Sequence, residues 1–169
     1  MKFIEYINML EYKLQTYYNT QRNYEFDGEV FDLKATYIER NEQYIATKNT
    51  VVWDYEQYQH ILLKSFESID LKKVEDFTKA LVDFAAHIVE PSSSHMSTLV
   101  SGVILTDGGI TEDVIKYVQK FKYYKSFKFG LNGWVNIALN LLDINNIQNS
   151  YYNKKGKEDS KNFIILSDS

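Results

Sequence analysis

One stretch, residues 98–144, constrains the fold more than any other part of the chain. Residues 98–106 (TLVSGVILT) form a short apolar run without charge. Such a run fits a strand buried on both faces. Asp107-Gly108-Gly109 ends it, because glycine reaches backbone angles that other residues avoid. Thr111 then stands where a helix N-cap is expected, with Glu112 and Asp113 in the first turn, where the helix dipole favours negative charge. Val114, Ile115, Val118 and Phe121 carry a helical stripe to about residue 123. Asn132-Gly133 is a hairpin signal, and 134–144 returns as an apolar strand. No glycine-rich phosphate-binding motif accompanies this strand-turn-helix, and the acids around the turn oppose phosphate there.

The preceding chain supplies material to complete and cover a sheet. Residues 2–18 read as an amphipathic helix with Phe3, Ile7, Leu10 and Leu14 on one face and Ile4, Tyr17 and Tyr18 beside it. Residues 19–23 end that helix. A meander follows: a short strand at 24–27, a turn at Gly28 and a long strand at 29–40. A turn at Asn41-Glu42 comes next, then strands at 43–53 and 58–66 joined near Asp54-Tyr55-Glu56. In the long strand Phe31, Leu33, Ala35 and Tyr37 are expected on one face, with Asp32, Lys34 and Thr36 on the other. Asp70 caps a second helix, 71–89, whose core stripe is Leu71, Val74, Phe77, Leu81, Phe84 and Ile88. After residue 144 a strand is expected within 147–153, a charged turn at 154–157 and an edge strand at 163–166. The order αβββαβαββ predicts an α+β fold with a mixed, mostly antiparallel sheet, formed by one domain over 1–169.

Composition excludes several function classes. The chain has no cysteine, so a thiolate nucleophile, a disulfide framework and a Cys-based zinc site are ruled out. No apolar run approaches the roughly 18 residues of a membrane span, and the first residues are charged too early for a secretory signal; a cytoplasmic protein is expected. Charge is uneven: residues 1–114 hold 10 Lys/Arg against 19 Asp/Glu, and residues 115–169 hold 9 Lys against 4 acids. Such asymmetry marks a surface for nucleic acid or an acidic partner, or is neutralised where the two halves interleave.

Lys116, Lys120, Lys122, Tyr123, Tyr124, Lys125, Phe127, Lys128 and Phe129 mix cations with rings. That mixture suits single-stranded nucleic acid, lysines meeting phosphate and rings stacking on bases, with Lys122, Tyr124, Lys125 and Lys128 as the contacts. The plain alternative puts Phe127 and Phe129 on the inward face of a strand beside a solvated lysine face. Of the three histidines, His60 reads as a sheet residue and His87 as a helix-end residue; His95, in a polar loop near Glu90, is the one with ligand potential.

The order of elements resembles the PD-(D/E)XK nuclease-like fold, and Asp32-Leu33-Lys34 has its acidic-x-Lys spacing. The resemblance implies Mg²⁺ held by Asp32, with Lys34 orienting or activating water. The motif stands one strand early, and Ala46 and Leu62 occupy the acidic places before Lys48 and Lys64. The chain is also similar, over nearly its full length, to an uncharacterised bacterial domain family of unknown function. The similarity runs through Phe31-Asp32-Leu33, Glu90-Pro91 with His95-Met96, Gly102-Val103-Ile104, Asp107-Gly108-Gly109-Ile110, residues 121–127, Gly133-Trp134 and Lys154-Lys155-Gly156-Lys157. It implies no catalytic residue. The reading that follows is a small binding domain without catalysis of its own, most simply for a protein partner; a metal-dependent nuclease and nucleic-acid binding are the alternatives.

Overall fold

A computed structural model describes residues 1–45, 50–89 and 95–165, and of 39–45, 50–56, 95 and 96 the backbone alone. Lys48, Glu90 and Leu166 lie outside the described residues, as does the side chain of His95.

The strand that the sequence marks as buried is β4 (His95–Thr106), and it occupies the middle of the sheet. It lies parallel to β3 (Thr50–Phe66) on one side and to β6 (Trp134–Asp143) on the other. Beyond β3 come β2 (Glu29–Ile45) and β1 (Asn19–Phe26), each antiparallel to its neighbour. Two short strands, β5 (Tyr124–Ser126) and β7 (Ser150–Tyr152), share the outer edge of β6, both antiparallel to it. The described residues thus form an α+β fold around a mixed, mostly antiparallel seven-stranded sheet.

Helices cover both faces. α2 (Leu71–Ile88) and α3 (Glu112–Lys120) bury Val74, Phe77, Leu81, Phe84, Val114 and Val118 against one face. α1 (Phe3–Leu14) buries Tyr6, Ile7, Leu10 and Leu14 against the other, where Phe163 closes the same cluster. Asp70 caps α2 as expected, accepting from the Lys73 amide at 2.8 Å. Thr111 occupies the N-cap of α3, but its hydroxyl bonds Asp113 rather than a backbone amide. Among the described residues no helix is long and apolar enough to cross a membrane.

Several boundaries differ from expectation. Asn41-Glu42 and Asp54-Tyr55-Glu56 are no breaks: Asn41 pairs with Tyr55 and Glu42 with Asp54 inside one long ladder. Cross-strand pairing overrides the local turn preference of those polar residues. Residues 19–23 are part of β1, paired with β2, not a helix end. Residues 163–165 form no strand; Phe163 is buried, and its carbonyl accepts the Tyr6 hydroxyl at 2.7 Å. The expected charged turn continues into a one-turn helix, α4 (Gly156–Asp159). Tyr6, unmarked by the sequence stripe, is fully buried, whereas Ile4 and Tyr17 are exposed.

Gly102 lets α2 approach the middle of β4. A Cβ built there runs into Leu81 and lies 3.0 Å from Phe77. Because both side chains are buried in the core, Gly102→Ala is expected to destabilise by about 1–3 kcal/mol through overpacking. Urea unfolding of the variant checks this; unchanged stability would mean that α2 shifts freely.

Candidate functional site: a lysine cleft at the sheet edge

The outer edge of β6 is interrupted. β5 pairs with residues 134–136 and β7 with residues 140–142, leaving 137–139 without a strand partner on this edge among the described residues. These residues are buried, so their backbone groups need partners. Tyr123 serves one: its carbonyl accepts from the Ile137 amide at 3.2 Å. Asn153 serves the rest. Its amide NH₂ donates to the Ile137 carbonyl at 3.0 Å and to the Phe121 carbonyl at 3.1 Å. Its Oδ1 accepts from the Leu139 amide at 3.0 Å and the Gly156 amide at 2.7 Å. Its own backbone N–H donates to the Leu139 carbonyl at 3.1 Å. One buried side chain therefore completes the sheet edge and ties the end of α3 to the start of α4.

Over this gap opens a cleft of about 350 Å³. One wall, from the end of α3, carries Lys120, Lys122 and Tyr123; the other, from the turn into α4, carries Lys154, Lys155 and Glu158. Lysine at the last turn of α3 agrees with the negative end of the helix dipole. Lys155 is paired to Glu158 at 2.6 Å. Among the described residues Lys120, Lys122 and Lys154 have no ion-pair partner, and all three are exposed. Unpaired cations around a concavity raise the local positive potential, and Tyr123 adds a ring to its lining. The two lysine groups are about thirty positions apart in the chain, and the sequence holds no local sign that they meet.

The contacts expected from the sequence divide between the cleft and its surroundings. Lys122 lines the cleft. Tyr124 follows on β5, 54 % exposed, its backbone paired with Asn136 at the cleft wall. Lys125 lies with its Nζ 5.5 Å from the centre of the Phe127 ring. Lys128 and Phe129 sit in a tight turn, both with positive φ. Phe127 is half-buried against the core under α2, but Phe129 is fully exposed at 103 %. The plain reading of Phe129 as an inward strand residue is therefore corrected: β5 ends at Ser126, and the loop turns the ring to solvent.

Asp32 and Lys34 do not converge. Phe31 packs with Phe77 under α2, whereas Leu33 and Ala35 belong to the cluster under α1. Strand alternation thus slips at Asp32, where the paired register of β2 with β3 begins at Leu33. The Asp32 carboxylate replaces the missing ladder bond, accepting from the Ser65 amide at 2.7 Å and the Ser65 hydroxyl at 2.8 Å. Lys34 turns the other way, its Nζ 4.0 Å from the Tyr24 ring centre and 5.6 Å from that of Phe84. Burial lowers its pKa. Among the described residues no three His, Cys, Asp or Glu side chains are grouped as metal ligands. Asp32 and Lys34 do not fit the Mg²⁺ set that the nuclease resemblance implies, and no step is derived through it.

His60 is a sheet residue, as expected. It is buried, with Nδ1 3.3 Å from the Thr36 hydroxyl and its ring edge-on to Phe84. Burial, and secondarily the nearby Lys34 charge, lower its pKa to about 4. His87 is exposed at the end of α2, 5.4 Å from the Phe26 ring.

No curated protein and no solved structure matches the chain. A family model does match, over residues 2–165, and that span takes in the β6 edge, Asn153 and all four cleft lysines. The chain belongs to this family, a domain of unknown function (DUF8052).

Proposed function

We propose that this domain binds single-stranded nucleic acid, without catalysis of its own, through the cleft between the end of α3 and the turn into α4. What supports the reading is one observation: Lys120, Lys122, Lys154 and Lys155 surround a single cavity that holds one glutamate. Lysines so placed neutralise consecutive phosphates and release counterions. Tyr123 in the cleft, with Tyr124, Lys125 and Lys128 on the adjoining strand and turn, supplies rings and further charge along the same edge.

The reading makes binding salt-dependent. Replacing Lys122 and Lys154 together by alanine is expected to lower affinity at least tenfold at low salt. The slope of log affinity against log salt should fall by about 1.4, or roughly 0.7 per lost phosphate contact on a single strand. Lys116→Ala is the control, because Lys116 is paired to Glu112 at 2.9 Å on the outer side of α3. Affinity that ignores salt, or that survives the double variant, would sink the reading.

A second reading, a protein partner, has its own support. Phe129 and Leu131 are 103 % and 75 % exposed at the tip of the loop after β5. Phe129→Ser is expected to abolish such an association while leaving nucleic-acid affinity intact; pull-down with the unaltered chain and the variant separates the two.

A further inference from the structure

The face of the sheet under α1 is longer than the helix that covers it. Leu33 and Ala35 on β2, Ile61 and Leu63 on β3, Val103 and Leu105 on β4 and Leu142 on β6 all belong to the α1 cluster. Continuing the same alternation toward the start of β6 changes the chemistry of the face. Tyr37 pairs with Gln59, Gln59 with Leu99, and Leu99 with Asn136, forming one row across four strands. The next row runs from Gln57 through Ser97 to Trp134. Aliphatic side chains give way to amides and rings, and among the described residues these lie outside the cluster packed under α1. These residues line a cavity of about 330 Å³.

The groove is braced from beneath. The Tyr18 hydroxyl donates to Gln59 Oε1 at 2.6 Å, which leaves the Gln59 NH₂ as its donor end. The Tyr18 ring lies 5.6 Å from that of Tyr37, at 42°. Burial, and secondarily the charge of Asp159, hold the Tyr18 pKa above its ordinary value, so the hydroxyl keeps its proton and its role as donor at neutral pH.

Two residues belong to both cavities. Asn136 and Lys155 line this groove and also the lysine cleft. The groove on the face and the cleft at the edge therefore meet around the start of β6. We infer that the groove receives one base of the strand whose phosphates the lysine cleft holds, with Trp134 and Tyr37 as ring surfaces and the Gln57, Gln59 and Asn136 amides as partners for the base edge. Amide side chains offer a donor and an acceptor side by side, which matches the edges of bases. Aromatic surfaces add stacking that tolerates any base. The inference rests on the nucleic-acid reading and adds to it the part of the ligand that a purely electrostatic cleft would ignore.

The test compares ten-nucleotide single-stranded thymidine DNA with an abasic backbone of the same length and charge, by calorimetric titration. The unaltered chain is expected to bind the thymidine strand about tenfold more tightly, as one stacked base warrants. Gln57→Ala and Trp134→Ala should each shrink that preference while the abasic affinity stays as it was. Gln57 is exposed, so its variant carries the test if Trp134→Ala fails to fold. In a Trp53→Phe background the fluorescence of Trp134 should be quenched by the thymidine strand and not by the abasic one. Equal affinity for both strands, or a preference that survives in the folded variants, overturns the base groove and leaves the lysine cleft standing. Binding of neither strand overturns both.

Discussion

Replacing Asn153 by alanine is expected to destabilise the protein by about 3–5 kcal/mol. The side chain makes four hydrogen bonds, to Phe121, Ile137, Leu139 and Gly156, and all four partners are backbone groups. Ile137 and Leu139 are fully buried. A buried backbone group left unpaired costs about 1–3 kcal/mol. For a chain of this size the change lowers the melting temperature by roughly 10 °C or more. Asn153→Asp is expected to fare no better, because a carboxylate keeps the acceptor for Leu139 and Gly156 but removes both donors. Gly156→Ala probes the same joint from its other side: a Cβ there would lie 2.5 Å from the Leu139 carbonyl oxygen, which is backbone and cannot turn away. Thermal unfolding of the three variants provides the measurement. A loss below about 1 kcal/mol for Asn153→Ala would show that the edge of β6 is held by something else. Since the lysine cleft opens over this joint, the same variants should also lose nucleic-acid affinity, whereas the lysine variants should lose affinity and keep stability.

Acid is expected to weaken the fold through His60. The imidazole is buried against Phe84 and beside Lys34, and its pKa falls from 6.5 in the unfolded chain to about 4. A depressed histidine pKa means that the unfolded state takes up the proton first. Its contribution is therefore whole above pH 6.5 and disappears as pH falls toward about 4, a loss of about 3 kcal/mol at 1.36 kcal/mol per unit. His60→Gln removes the titration, so urea unfolding at pH 7 and pH 4 should show the variant losing less stability than the unaltered chain over that interval. Asp159 works in the opposite sense. It is buried on α4, accepting from the Ser101 hydroxyl at 2.5 Å and the Asn140 amide at 3.1 Å, and burial raises its pKa above 3.8. The folded state then holds that proton more tightly, so stability falls as pH rises from 3.8 through the raised value. Asp159→Asn should remove this opposing slope. Identical pH dependence of the His60 variant and the unaltered chain would refute the assignment.

Local pattern was enough for the elements whose cause is local. The stripe of Val74, Phe77, Leu81 and Phe84, the Asp70 cap and the Gly108-Gly109 stop all act within a few residues, and the structure agrees with each. The charge-free run at 98–106 has no polar face to offer, so it lies between two neighbours with helices above and below. The acidic-x-Lys spacing of Asp32 and Lys34 presumed unbroken alternation, and one slip at Asp32 sent the two side chains to Ser65 and Tyr24 instead. The turn expected at Asn41-Glu42 likewise yielded to the long ladder between β2 and β3.

The sequence alone determined the α+β class, the burial of β4 on both faces, the two long helices and the surplus of lysine in the last third of the chain, because periodicity, caps and charge counts are properties of neighbouring residues. Tertiary structure alone decided that Lys120 and Lys122 face Lys154 and Lys155, that Asn153 completes the β6 edge, and that Tyr37, Gln59 and Asn136 form one row. Those relations depend on which strand lies beside which, and a polar side chain acquires its role only from the partner that the fold brings to it.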